Sequence, residues 1–410
     1  MRTANNGALW NWHFITISLS SFFLFLTFYT SATTLPIYVK ETLHGSEQQI
    51  GLSMTLFIIA AVLARPFAGK LMERFGDSRI VSWSLLMFFL AAVYYLHVYS
   101  FAMLLLLRFV HGGSFAVATT STNGVALKLI PESRKGEGIG YFSMFMSLAM
   151  VVGPFIGLTV NSHFGYRTLF VMCGVFALLA LGLGMMTPSG AKKAAAEAPP
   201  AQEPAREKKP FRWQDLIETS AIPIGLAGFV AAFAYSGLTS FISVYASSMS
   251  MESMASYFFV FFGIMIVLPR PIIGRILDRY NEKVIIYPSI AAFAAGLFLL
   301  GEAHSQAQFL AAGAVCGLGY GALLPSFQTI AVKKAARQRQ PLAMATFFVL
   351  FDLGYGIGSY TLGVIASGAG YAEMYLVSAV ITAFTALLYY ALYRKKQSPA
   401  AVQPAYRSAE

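Results

Sequence analysis

Two charged side chains stand in the middle of apolar runs. Arg108 lies in Leu104-Leu-Leu-Leu-Arg108-Phe-Val-His111-Gly112-Gly113, and Asp352 in Phe351-Asp352-Leu-Gly354-Tyr-Gly356-Ile-Gly358. A charge at the centre of a membrane helix costs about 2.5–3.5 kcal/mol, so both are expected to face protein or a water-filled cavity. One is a permanent cation and the other a carboxylate that can take and give a proton. Being of opposite sign and in opposite halves of the chain, they can compensate each other across a cavity. Asp352 can also cycle a proton or hold a cationic group of a solute, and a static ion pair or packing hydrogen bond is the bland alternative. His111, one turn after Arg108, can relay a proton; a neutral imidazole donating to a carbonyl explains it as well. Tyr29, Tyr235 and Tyr320 fall near the middle of other apolar runs. A ring with one polar tip suits an amphipathic solute, and bundle packing accounts for any single one.

The elements that hold these residues follow from composition. Of 410 residues, 57% are hydrophobic, 15% aromatic and only 11% charged, with a mean hydropathy of +0.63. Globular chains carry roughly a quarter charged residues. Soluble enzymes, disordered chains and disulfide scaffolds are excluded. Twelve apolar stretches, 14–36, 49–69, 80–99, 102–125, 138–160, 167–187, 219–245, 254–274, 284–302, 307–331, 342–366 and 372–393, each approach the length that crosses ~30 Å of hydrocarbon. The expected fold is an all-α membrane protein of twelve transmembrane helices. Both cysteines, Cys173 and Cys316, sit in apolar stretches, so no disulfide framework, metal site or cofactor is expected. No phosphate loop or nucleophile triad is present, and no cleavable leader is expected at the start.

The net charge of +11 needs no nucleic acid. With both termini in the cytoplasm, every Lys and Arg except Lys40, Arg167 and the intramembrane Arg108 falls on the cytoplasmic side, as the positive-inside rule describes. The Lys333, Lys334, Arg337, Arg339 cluster can attract anionic lipid heads. Residues 188–213, rich in Ala, Pro, Glu and Lys, read as a cytoplasmic linker, and 394–410 as a disordered tail. They divide the chain into six-helix bundles over 1–187 and 214–393.

The bundles repeat. At an offset of 205, Arg65-Pro66-Phe-Ala-Gly69-Lys-Leu-Met-Glu73-Arg74-Phe75 lies over Arg270-Pro271-Ile-Ile-Gly274-Arg-Ile-Leu-Asp278-Arg279-Tyr280, Gly112 over Gly317 and Gly153 over Gly358. Parallel repeats about an axis along the membrane normal are a transporter architecture, with the solute site between them.

These residues resemble the major facilitator superfamily, specifically its twelve-helix drug–proton antiporter-like branch, over nearly the whole chain. The loop from Gly69 to Arg79 is similar to the family's Gly-x-x-x-Asp-Arg-x-Gly-Arg-Arg signature, with Glu73 in place of the Asp, Asp77 and Ser78 in place of the paired basic residues and Arg79 one place late, and the second copy keeps Asp278. The resemblance implies a conformational latch at Gly69, Glu73, Arg74, Gly274, Asp278 and Arg279. It implies proton coupling at Arg108, with His111 at the family's Gln position. It also implies an antiporter-like signature at Gly153, Pro154 and Gly157, although both terminal glycines of that pattern are replaced. Cavity-lining positions on the first, seventh and tenth helices would be Tyr29, Tyr235 and Tyr320.

The expected activity is secondary transport in the plasma membrane by alternating access, with no enzymatic step. Its favoured form is proton-coupled efflux (antiport) of a small organic solute or drug by a monomer in lipid, with Asp352, Arg108 and His111 carrying the coupling. Export of a metallophore or sugar, proton-coupled nutrient import, and a non-transporting receptor or scaffold are the alternatives.

Overall fold

The computed structural model describes residues 9–131, 134–186, 217–269, 282–336 and 339–394. The expected linker, the tail beyond Arg394, and Gly274, Asp278 and Arg279 of the second latch copy lie outside the described residues. Within them the chain is helical: α1 Trp12–Glu41, α2 Glu47–Phe75, α3 Asp77–Tyr94, α4 Phe101–Leu129, α5 Lys135–Met185, α6 Ile222–Ser248, α7 Glu252–Val267, α8 Lys283–Gly301, α9 Gln306–Lys334, α10 Gln340–Ala369 and α11 Tyr371–Arg394. Ten of these segments are long and apolar enough to cross a membrane, and α7 is the shorter exception.

Among the described residues eleven α-helices stand where twelve spans were expected. The difference lies in α5, whose 51 residues cover the expected fifth and sixth spans. Gly165 inside it leaves the helical region at φ 75°, ψ 177°, a conformation open to a residue without Cβ. Gly370, 205 residues later, makes the sharp turn between α10 and α11 at φ 108°, ψ 169°. Turn chemistry thus repeats with the sequence.

Capping repeats as well. Ser100 accepts from the Met103 N–H at the start of α4, and Ser305 from the Gln308 N–H at the start of α9, each at 3.3 Å. Such a cap satisfies a backbone donor that a helix start otherwise leaves open. At Gly112 a Cβ would strike the Phe57 carbonyl, and at Gly317 the Phe262 carbonyl. Both pairs are 205 apart, so α4 seats on α2 as α9 seats on α7. Close approach through small residues is how helices associate where lipid removes the hydrophobic drive between them.

Within the first half of the chain α1 packs on α5 and α2 on α4; within the second, α8 packs on α9 and α6 on α10. The halves meet along three seams, α2 with α10, α5 with α7 and α1 with α6. Contacts across them cluster toward the end that carries the α1–α2 turn. Gly51 lies against the Ser359 backbone and Gly363 against the Glu47 carbonyl. Thr55 Oγ1 donates to the Gly356 carbonyl at 2.5 Å, Ser243 Oγ to the Thr33 carbonyl at 3.0 Å, and the Tyr371 hydroxyl to Glu47 at 3.0 Å.

Candidate functional site

Asp352 finds its counterion on α2. Its Oδ2 lies 3.0 Å from Arg65 Nη2, with the two side chains 11% and 24% exposed. The Arg65 guanidinium also stands 5.9 Å from the Phe348 ring, one turn before Asp352. Arg65 belongs to the first half and Asp352 to the second, so this pair spans the α2–α10 seam. Sequence reading had counted Arg65 among the cytoplasmic-side charges and looked to Arg108 for compensation. The available signal was the Arg-Pro pair, identical in both repeats.

Arg108 is fully buried in a different place. Its Nε donates to the Ser53 carbonyl at 3.2 Å and its Nη1 to the Tyr95 hydroxyl at 3.4 Å. Met54 Sδ touches Nη2, and the Phe57 ring lies 4.2 Å below the guanidinium. Among the described residues no carboxylate pairs with it. Carbonyl, phenol and π-face replace the acid, a cation–π contact being strongest where water is excluded.

His111 joins this group through Tyr95, whose hydroxyl is 3.1 Å from Nδ1. A guanidinium only donates, so the phenol oxygen accepts from Arg108 and bridges it to the imidazole. The other ring nitrogen, Nε2, is buried and has no hydrogen-bond partner among the described residues. The Phe88 ring lies 4.5 Å from the imidazole, tilted by 38°. Tyr95, the hub of the group, carries no sequence pattern that marks it.

The three expected tyrosines fall into two environments. Tyr235 and Tyr320 stack on one another, centroids 4.1 Å apart at 13°. Tyr355 adds a third ring 6.1 Å from Tyr235 and shares a 2.6 Å hydrogen bond with Thr239. Tyr29 packs on Phe25 and Phe28 of its own helix. Tyr29, Tyr320 and Tyr355 all lie within electrostatic reach of Asp352, and Tyr355 also within reach of Arg108. Tyr355 is thus the ring common to both buried charges, and spacing alone did not single it out.

The Gly153-Pro154-x-x-Gly157 stretch is a seat for α1. A Cβ on Gly153 would meet Tyr29 Cβ at 2.9 Å and Thr30 N at 3.1 Å, and one on Gly157 would meet Thr30 and Thr34. Thr30 Oγ1 closes the contact on the Gly153 carbonyl at 3.1 Å. The stretch therefore positions Tyr29.

In the first latch copy, Gly69, Glu73 and Arg74 are exposed on the last turns of α2. Nothing lies within 4 Å of a Cβ built on Gly69, and Arg74 covers its neighbour Phe75 at 5.2 Å. The acid engaged there is Asp77, which opens α3 and pairs with Lys128 at 2.6 Å. A recess of about 200 Å³ between α3 and α5 is lined by apolar residues such as Phe89, Leu96 and Phe170 and offers no polar group.

The sequence profile of the Major Facilitator Superfamily matches residues 17–305 and 270–409. The chain belongs to the major facilitator superfamily. It is therefore a multi-pass membrane transporter of small molecules, not an enzyme. YhhS of Escherichia coli strain K12, an uncharacterised transporter of the same type, is 24% identical over 413 residues, covering 99% of this chain and 98% of YhhS. The fold is similar to that of the nucleoside transporter NupG, at TM-score 0.72 and 14% identity over 94% of this chain and 100% of that one. It is also similar to a bacterial homologue of the human lysosomal transporter Spinster in an inward-facing, unoccupied conformation, at TM-score 0.74 and 17% identity over 95% and 98%.

Proposed function

We propose that this superfamily member is a proton-coupled exporter of a small organic solute, working by alternating access as a monomer in the plasma membrane. The observation that carries the reading is the buried ion pair between Arg65 and Asp352, which ties one half of the chain to the other. A carboxylate in that position faces one partner at a time: Arg65, a proton, or a cationic or hydrogen-bonding group of the solute. Mutual exclusion makes proton and solute compete, and competition drives opposite fluxes.

With both termini in the cytoplasm, as the basic-residue bias favours, the end bearing the α1–α2 turn, where the halves touch, faces outward, and the conformer is read as the one closed to the outside. In that state Arg65 stabilises the deprotonated carboxylate, the form expected after a proton has left to the inside. Arg108 and His111 sit in the closed end, where Arg108 fixes α2 at Ser53, within the Gly51–Thr55 segment that meets α10. The Tyr235, Tyr320, Tyr355 and Tyr29 rings supply an amphipathic surface beside Asp352. The Gly69, Glu73 and Arg74 turn, with its counterpart at Gly274, Asp278 and Arg279, would latch the opposite state.

The test uses purified protein in liposomes loaded with a pH-sensitive dye and challenged with hydrophobic cations, sugars and amino-carboxylate chelators. Solute-dependent proton movement with wild type and none with Asp352→Asn is expected. Normal proton movement in that variant overturns the mechanism, and accumulation of a labelled solute in intact cells overturns the direction.

A further inference from the structure

Asp352 occupies only one of two mirrored seams. The 205-residue repeat sets α10 against the first part of α5, and α2 against α7, so the α2–α10 and α5–α7 seams are counterparts. The position that answers to Asp352 is Ser147. Ser147 is buried, and its hydroxyl donates to the Ser143 carbonyl at 3.0 Å. A serine hydroxyl does not change charge in the range where a carboxylate titrates.

The described contacts of the two seams differ in the same sense. The contacts described between α5 and α7 include Gly263 on Val151 and the Phe155 and Tyr257 rings 6.3 Å apart, while Arg270, the counterpart of Arg65, lies outside the described residues. The α2–α10 seam carries the Arg65–Asp352 pair and the Thr55–Gly356 hydrogen bond. Charged or titratable groups around Asp352 are Arg65 from α2, Tyr29 from α1, Tyr320 from α9, Tyr355 on its own helix, and Tyr235 from α6 beside Tyr320 and Tyr355. A guanidinium and phenols keep their protons where a carboxylate exchanges its own.

We infer that the two seams are functionally unlike: α2–α10 is a lock released by one proton at Asp352, and α5–α7 is a hinge blind to protons. The transporter then couples a single proton per cycle, and Ser147 is the residue that withholds a second. This inference rests on the proton-coupled reading given above.

The experiment needs no solute. The full-length protein in lipid nanodiscs carries spin labels at exposed positions 67 on α2 and 345 on α10, and the distance distribution is recorded from pH 4 to 9. One proton changes the ratio of the two conformers by at most tenfold per pH unit, and two protons by up to a hundredfold. Wild type is expected to titrate with the one-proton slope, Asp352→Asn to lose the titration, and Asp352→Glu to keep one step at a shifted midpoint. Ser147→Asp should steepen the slope toward two.

A two-proton slope in wild type, or a titration that survives Asp352→Asn through Glu47 or His111, overturns the inference while leaving proton coupling standing. An unsteepened slope in a folded Ser147→Asp protein overturns the role of Ser147. No pH response at all in wild type removes the coupled reading itself, and this inference with it. Should Ser147→Asp not insert, the wild-type slope still decides the proton number.

Discussion

Gly51→Ala should shift the alternation of the two halves without unfolding either one. A Cβ at this position would lie 2.9 Å from Ser359 C and 2.9 Å from Tyr360 Cα, and closer still to the Ser359 carbonyl oxygen. Ordinary contact begins at about 3.4 Å, and the obstacle is backbone, which has no rotamer to escape into. The seam must therefore open by roughly 0.5–1 Å at this point. The Thr55–Gly356 hydrogen bond, 2.5 Å long and one turn away, would stretch toward its limit. Overpacking of a tight contact costs about 1–3 kcal/mol. Because both sides of this contact separate in the alternative conformer, that cost falls on the closed state alone. It corresponds to about a 5- to 150-fold change in the population ratio. The assay is the spin-label distance between the outer ends of α2 and α10, read beside the thermal melt of the detergent-solubilised protein. Longer distances with an unchanged melting temperature are expected. An unchanged distance distribution, or a melt lowered as much as by a substitution inside one half, would refute the reasoning.

Gly112→Ala provides that comparison: its Cβ meets the Phe57 carbonyl within the first half, so it should lower the melting temperature and leave the surviving distances alone. Gly69→Ala, with open space around it in this conformer, should change neither melt nor closed-state distance, and a clear loss in the melt would contradict the position given to α2. Tyr95→Phe removes the hydroxyl between Arg108 and His111 and leaves buried partners unsatisfied; a loss of about 1–3 kcal/mol in unfolding stability is expected, and no loss would mean the hub is not formed. Glu218 lies before α6, where hydrogen bonds from Ser220 and the neighbouring Arg339 hold its carboxyl below the usual range. A depressed carboxylate stabilises above its unfolded pKa and loses that contribution as pH falls through its folded one. Glu218→Gln should therefore lower the melt at pH 7 and converge on wild type below about pH 4; a gap that widens on acidification would reverse the sign of the argument.

Much of this architecture was readable because lipid imposes one local rule, a long apolar helix, and because a duplicated sequence states its packing twice. Gly112 and Gly317, or Ser100 and Ser305, are visible as pairs before any coordinates exist. At Gly165 a single residue in a positive-φ conformation kinks the chain between two apolar helical runs, with no polar loop in the sequence to mark the break. The partner of Asp352 was not legible for a different reason. Arg65 stands next to Pro66 near the end of a span, where a basic residue already has an adequate explanation in the positive-inside bias. Only the reach of its side chain across the seam distinguishes it. Tyr95 and Tyr355 were hidden likewise, because a tyrosine in a membrane chain is too common for its type to signal a role, and what matters is which side chains it meets in the fold.

The repeat also shows where function departs from architecture. Packing pairs such as Gly112 and Gly317 obey the 205 offset, while Asp352, Arg108 and His111 break it. Arg108 answers to Gly313 and His111 to Cys316. In the first half Arg108 reaches the Ser53 carbonyl; in the second, Gly313 simply packs on Phe258, the counterpart of Ser53. An alternating transporter needs two conformers of nearly equal free energy, and two like bundles that can rock either way about a shared site meet that need. A symmetric machine of this kind has no reason to answer to a proton. Coupling requires a group whose charge state favours one conformer, and that bias exists only where symmetry fails. The broken positions Asp352, Arg108 and His111 are thus the ones whose substitution should uncouple the cycle, while a matched packing glycine such as Gly112 answers for the stability of its own half.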